Sequence, residues 1–446
     1  MHDSVSPLDD RYYEDVKEIA SVLSERSLFF HRLLVEALYL EALCREGILR
    51  RPCGGFSSEE FMKRLDANWY EQIKDIEKAV RHDVKATELY MRKRLMELGY
   101  TGLAPLVHLA LTSEDVNANA YGMMLEKGKR KVLYCYLDLT LRLSELSKRY
   151  ASSIMMGRTH GVPAEPTTFG KEISYFAYRL AEAAERLLRI RPYGKLSGAV
   201  GTYSSFMFVD PSVDWLLFSK RFIERLGLEF PEVSKQAPLW DNAARILQEI
   251  DLINYIMREL AQDLWLYNSL GIIQFRRAGV GSSTMPHKVN PVDLEDAEGQ
   301  LEISSSVLQT TIHEPLYTRM QRDLSDSPVR RNLGAALAHS YLGCRRILKA
   351  LEQLVFKGED VNSHREVLSE PLQIAFKLSG DLNAYEKVFE NIENMDKLVE
   401  ELPEPLKGAF SSLRPSDYVG LSERLAVSVA ELAERKAREI LKEVEQ

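Results

Sequence analysis

Apolar residues recur at helical spacing over about 14–47, 58–98, 113–151, 170–191, 241–275, 291–311 and 328–357, with few glycines and no interior proline. These stretches predict long helices. The segment 113–151 would span roughly 58 Å at the standard helical rise, with Gly122 and Gly128 as its two weak points. Its Val132, Leu133, Leu137, Leu141, Leu143 and Leu146 spread over more than one face, as in a bundle that also packs on other subunits. One stretch, Lys195 to Tyr203, is glycine-punctuated like a short β-hairpin. No strand–helix–strand alternation appears, so a dinucleotide-binding fold is not expected. The pattern predicts an all-α chain of three domains: an N-terminal helical domain (1–110), a central long-helix bundle (111–360) and a small helical domain (361–446) in which Pro403, Pro405 and Pro415 separate amphipathic pieces.

The length of 446 residues accommodates about three domains, and 45% hydrophobic residues permit a large core. A net charge of −8 argues against nucleic acid as a partner, so any phosphate site must be a local basic cluster. Cys44, Cys53, Cys135 and Cys344 are widely spaced without a C-x-x-C pair, which suggests neither a disulfide framework nor a zinc ribbon and fits a reducing cytoplasm. The start MHDSVSPLDD has no basic or apolar leader region, and no long apolar run follows. Secretion and membrane insertion are therefore not expected.

The most informative chemistry lies in Gly279-Val-Gly-Ser-Ser-Thr-Met-Pro-His-Lys-Val-Asn-Pro291. Its glycines and Pro286 predict a mobile loop, with Asn290 as N-cap and Pro291 as first residue of the next helix. Ser282, Ser283, Lys288 and Asn290 there could bind and act on an anion, although a plain connection between helices has the same outline. Thr112-Ser-Glu-Asp115 reads as a capping box, and Thr112 and Ser113 would also offer hydroxyls at the positive end of a helix. His108, in an apolar run, reads by itself as a satisfied core histidine. Arg158-Thr-His-Gly161, with Pro163 and Pro166 after it, predicts an irregular connection that presents His160 for proton transfer. His82, His108 and His160 lack metal-ligand spacing, so no metal site is expected.

The run GSSTMPHKVNP resembles the signature of the fumarase/aspartase superfamily. Further agreement comes from SPLDDRY (Ser6–Tyr12), RHDVKA (Arg81–Ala86), LTSEDVN (Leu111–Asn117), RTHGVPAEPTTFGKE (Arg158–Glu172) and QRDLSDSPVRRNLG (Gln321–Gly334). With His287, the Met-Pro-His-Lys form is similar to that of adenylosuccinate lyases, whereas fumarases usually carry Gly and argininosuccinate lyases Gln at that position. The resemblance implies a cofactor-free elimination of fumarate from adenylosuccinate and from succinylaminoimidazole carboxamide ribotide by a cytoplasmic homotetramer whose sites draw on several chains. It makes Ser282 the base, His160 the acid, and Lys288 and Asn290 the stabilisers of the developing carboxylate, while His82 and Asp83 orient His160 or the substrate. Arg11, Tyr12, Arg81, Arg322, Ser327 and Arg331 are implied to hold the phosphate and carboxylates, and His108, Thr112, Ser113, Gln236 and Ser283 to line the same site. Asp296 departs from the Asn common in relatives, which would be unfavourable beside a dianion unless a basic group neutralises it; Asp10 replaces a Gly. Another superfamily lyase or cycloisomerase, argininosuccinate lyase-like, and a non-catalytic helical scaffold are the alternatives.

Overall fold

A computed structural model describes residues 4–276, 285 and 287–445, which fold as helices with two small antiparallel ribbons. The first expected helix is divided into α1 (Tyr13–Leu23) and α2 (Glu25–Arg45). Ser24 between them is extended, and its hydroxyl caps α2 by accepting from the Ser27 N–H at 3.3 Å. The second becomes α3 (Ser58–Lys63), α4 (Trp69–Val80) and α5 (Asp83–Glu97). Beyond them, α6 (Ser113–Arg149) runs unbroken through both glycines. A Cβ on Gly128 would lie 2.6 Å from Leu23 Cδ1, so this glycine permits a close approach of α1.

The chain continues through α7 (Phe169–Arg189), α8 (Ser204–Val209), α9 (Trp215–Arg225), α10 (Asp241–Ser269), α11 (Val292–His313), α12 (Asp326–Arg330) and α13 (Leu333–Gln353). Short helices α14 (Ser369–Leu378), α15 (Ala384–Glu390), α16 (Met395–Glu400) and α17 (Leu406–Ser411) precede the long α18 (Ser422–Glu445). Residues 270–275 and 354–357 leave the helix where periodicity predicts its continuation. They pair instead as the strands Ile273–Phe275 and Leu354–Phe356, after Gly271 turns the chain at φ 78°.

The β expectation falls in the wrong place. Residues 195–203 form a loop, and the hairpin is made by β1 (Ile154–Thr159) and β2 (Val162–Thr168). Pro163 and Pro166 are accommodated because the ribbon has two strands only, and its register shifts between Met156 and Arg158. The cysteine expectation also needs correction. Cys44 and Cys53 form a disulfide with Cα atoms 5.9 Å apart, because Gly47, at positive φ, turns the chain back after α2. Cys135 and Cys344 are buried thiols with sulfurs 2.8 Å apart. No helix among the described residues is long and apolar enough to cross a membrane.

The chain divides into two units. One comprises 1–135, 183–255 and 299–344, the other 136–182, 256–298 and 345–446. In the first, α2 is buried on two sides. Phe29, Leu33 and Leu40 pack with Trp69, Ile73, Tyr90 and Leu95, while Val35, Tyr39 and Leu43 pack with Val116, Phe218 and Phe222. A helix apolar on both sides cannot keep the charges of its middle turns in water. In the second unit, Leu372, Phe376, Val388, Leu398 and Leu402 form a core among α14–α16 and the residues after them. There α18 buries the stripe Ala426, Ala430, Ala433 and Ala437.

Candidate active site

Arg32 and Glu36, one turn apart on α2, are 1% exposed and must find partners inside the protein. Arg32 donates through Nη2 to Asp83 Oδ2 at 2.7 Å and through Nε to Asn117 Oδ1 at 2.8 Å. Arg331, at the C-cap of α12, donates to the same Asp83 oxygen at 2.8 Å. Burial pushes the Asp83 carboxyl up, but Arg32, the Val84 N–H and Arg331 outweigh it and hold the group down at about 2.

From Asn117 the chain of polar contacts continues. Its amide donates to Glu114 Oε1 at 3.0 Å, and Glu114 Oε2 meets Arg322 Nη1 at 2.8 Å and Arg330 Nη2 at 3.0 Å. Burial raises the Glu114 carboxyl, yet Arg330 and Arg322 bring it below its ordinary value. Asp326 closes the group on Arg330 at 2.6 Å, and there burial prevails and raises the carboxyl. Thus Asp83, Arg322 and Arg331, expected at a common site from two distant motifs, do come together. Asn117, Glu114, Arg32 and Arg330, which sequence reasoning missed, join them.

The other expected residues of this unit are placed as follows. Arg81 ends α4 in the left-handed region (φ 54°), and His82 caps α5, its Nδ1 accepting from the Lys85 N–H at 3.2 Å. His108 is a half-buried, hydrogen-bonded histidine, as its apolar run by itself predicts. At φ 66° its backbone N–H and Nδ1 both meet the Glu36 carboxylate, at 3.1 and 2.5 Å. Burial alone would lower the imidazole pKa, but the Glu36 hydrogen bond and charge raise it. The Thr112 N–H donates to Asp115 Oδ2 at 2.8 Å, half of the expected capping box, and places Thr112 and Ser113 at the start of α6. Gln236 donates to the Ala199 carbonyl at 2.8 Å. Ser327 lies half-buried in α12, one turn from Arg331. Arg11 is exposed over the ring of Tyr12 and takes no part in the Asp83–Glu114 network.

In the second unit, Thr159 pairs with Val162, so His160 and Gly161 are a two-residue turn with φ 55° and 82°. Positive φ at both positions is the hairpin turn that matches strand twist, and it lifts an exposed imidazole to the tip. Arg158, below the turn, is tied to Glu359. Arg81, His108 and His160 share the left-handed region with Arg50, Ala110, Tyr203 and Met320 among the described residues. Ser282 and Ser283 lie outside the described residues, whereas Lys288 is exposed and Asn290 half-buried just before α11. That helix begins at Val292 rather than Pro291, whose carbonyl accepts from the Leu294 N–H at 3.0 Å. Arg346 donates to Asp296 at 2.7 Å, supplying the neutralising partner that an acid at this position requires.

Three comparisons bear on this arrangement. A family model described as lyase matches residues 12–302, and one described as adenylosuccinate lyase C-terminal matches residues 318–419. Adenylosuccinate lyase from Legionella pneumophila (strain Corby) is 34% identical over 444 residues, with 95% of this chain and 97% of that protein covered. The Escherichia coli (strain K12) protein of that name is 32% identical over 439 residues, covering 94% and 96%. The fold is shared with a fumarate lyase from Mesorhizobium sp. BNC1 at a TM-score of 0.75 and 17% identity, covering 93% of this chain and 97% of that one. It is shared equally with a 3-carboxy-cis,cis-muconate lactonizing enzyme from Pseudomonas putida, at a TM-score of 0.75 and 18% identity, covering 97% and 100%. Motifs, fold and near full-length similarity agree, and the chain belongs to the adenylosuccinate lyase family of the fumarase/aspartase superfamily.

Proposed function

We propose that this lyase removes fumarate from adenylosuccinate to give AMP, and likewise from succinylaminoimidazole carboxamide ribotide. The observation that carries the reading is the polar chain from Arg331 through Asp83, Arg32, Asn117 and Glu114 to Arg322, which gathers three family motifs at one place. Guanidinium groups suit phosphate and carboxylate geometry, and here internal carboxylates hold them in place.

In the elimination, a base takes the β-proton of the succinyl group, the electron pair forms the fumarate double bond, and the C–N bond breaks as the nitrogen is protonated. We assign the base to Ser282 and the acid to His160, which the hairpin turn presents in the open. Lys288 and Asn290 stabilise the charge that develops on the neighbouring carboxylate. His82, Arg81, Arg11, Tyr12, His108, Thr112, Ser113, Gln236, Ser283 and Ser327 complete the substrate site. The active form is a homotetramer with sites shared between subunits, working in the cytoplasm beside the nucleotide pool it draws on, and along the sequence we keep three domains bounded at about 110 and 360, beside the two spatial units.

Ser282→Ala should lower turnover by about 10²-fold or more. So should His160→Asn, which keeps a residue suited to the left-handed turn and hence the hairpin. Ultraviolet absorbance follows the conversion. Near-normal turnover in a folded variant would remove that residue from its role.

A further inference from the structure

Asp115 and Lys195 form an ion pair with both side chains 0% exposed, and the proposed chemistry uses neither. Asp115 Oδ1 accepts from Lys195 Nζ at 2.5 Å, from the Ser197 N–H at 2.9 Å and from the Gly198 N–H at 3.2 Å. Its Oδ2 accepts from the Thr112 N–H at 2.8 Å. One carboxylate therefore ties the start of α6 to the loop 196–203. Lys195 is fixed in turn. Its Nζ donates to the Gly198 carbonyl at 2.9 Å, and Asn119 grips its backbone through Lys195 N–H to Oδ1 at 3.0 Å and Nδ2 to the Lys195 carbonyl at 2.7 Å.

The far side of the loop touches the segment that carries Gln236. The Ser197 and Ser234 hydroxyls are 2.7 Å apart, and Gln236 Nε2 donates to the Ala199 carbonyl at 2.8 Å. A Cβ on Gly201, at φ 84°, would lie 2.0 Å from the Ser234 carbonyl oxygen, so the two backbones meet directly. A cavity of about 200 Å³ lined by Ser197, Gly201, Thr202, Tyr203, Glu232 and Ser234 borders this contact. Without its anchor the loop has space to shift. A buried ion pair is a weak contributor to stability, because desolvation offsets most of the attraction and an apolar pair of similar volume does as well or better. What the pair supplies here is geometry.

We propose that Asp115 and Lys195 are positioning residues of the nucleotide site: through the loop 196–203 they hold Thr112, Ser113 and Gln236 in one arrangement. This rests on the assignment of those three residues to the substrate. The test compares wild type, Lys195→Met and the double variant Asp115→Asn/Lys195→Met in thermal midpoint, KM and kcat for adenylosuccinate. The double variant leaves no charge unpaired, but one amide oxygen cannot accept from the Thr112 N–H and from the Ser197 and Gly198 N–H groups together, so it should fold with a lowered thermal midpoint and show a KM roughly ten- to a hundredfold higher, with a smaller fall in kcat.

An unchanged KM in the folded double variant would overturn the proposal. If neither variant folds, hydrogen exchange on the wild type decides. The Ser197 and Gly198 amides should exchange as slowly as the interior of α6, and exchange at the rate of an open loop would equally overturn it. Thr112→Ala and Gln236→Ala separate the two levels. If they leave KM unaltered, the substrate assignment fails and takes the proposal with it. If they raise KM and the double variant does not, the positioning role alone is wrong.

Discussion

At Asp83, burial and two guanidinium groups pull in opposite directions, and the guanidinium groups win. A carboxyl held at about 2 in the folded chain, against an ordinary 3.8, contributes stability at pH above the ordinary value. That contribution is lost as pH falls from about 4 to about 2. His108 has the opposite sign: its raised pKa contributes stability below the ordinary 6.5, lost as pH rises through the folded value. Urea midpoints against pH should therefore fall on the acid side for wild type and much less for Asp83→Asn, and His108→Gln should flatten the alkaline side. Unchanged slopes would contradict the assigned partners. Asp83→Asn also leaves Arg32, whose side chain is 2% exposed, without its counter-charge, at a cost of about 3 kcal/mol at neutral pH. These couplings could not be read from sequence. Arg32 and Glu36 look like surface charges of an ordinary helix, and their partners Asp83, Asn117 and His108 lie 51, 85 and 72 positions away.

Among the elements, long periodic segments were legible and their interruptions were not. Helix α6 was foreseen because its apolar residues keep helical spacing for ten turns, and its glycines cost little where they admit a neighbour. The hairpin carrying His160 was missed because Pro163 and Pro166 read as strand breakers, a rule that holds inside sheets and not on a two-stranded ribbon. Conversely, Lys195–Tyr203 is glycine-punctuated like a hairpin, yet its backbone is taken up by Asp115 and Asn119. The glycines at element junctions carry a testable consequence. In α7, a Cβ on Gly170 would stand 2.4 Å from the Ser147 carbonyl oxygen and 2.7 Å from Ala151 Cα. Gly→Ala in a helix ordinarily gains up to about 1 kcal/mol. Gly170→Ala should instead destabilise by at least 1 kcal/mol or so, since a backbone must move. A higher melting temperature for this variant would show that the two segments are not so close in solution.

For the whole molecule, the family motifs were legible as far as Gly334, while the match to the adenylosuccinate lyase C-terminal model extends to residue 419, beyond α13 through a region of short helices with little periodic signal. The proposed sharing of sites between subunits has a quantitative consequence. If Ser282 and His160 of one site come from different chains, tetramers refolded from equal amounts of Ser282→Ala and His160→Asn should contain roughly one quarter fully native sites. Recovery near a quarter of wild-type activity is expected, and none despite proven hybrid tetramers would place both residues in one chain's site. The measurement closest to the central claim needs only the wild-type protein and adenylosuccinate. Absorbance and product analysis should show fumarate and AMP released in equal amounts, with release largely abolished in Ser282→Ala. Intact adenylosuccinate after prolonged incubation with folded wild-type protein would contradict it.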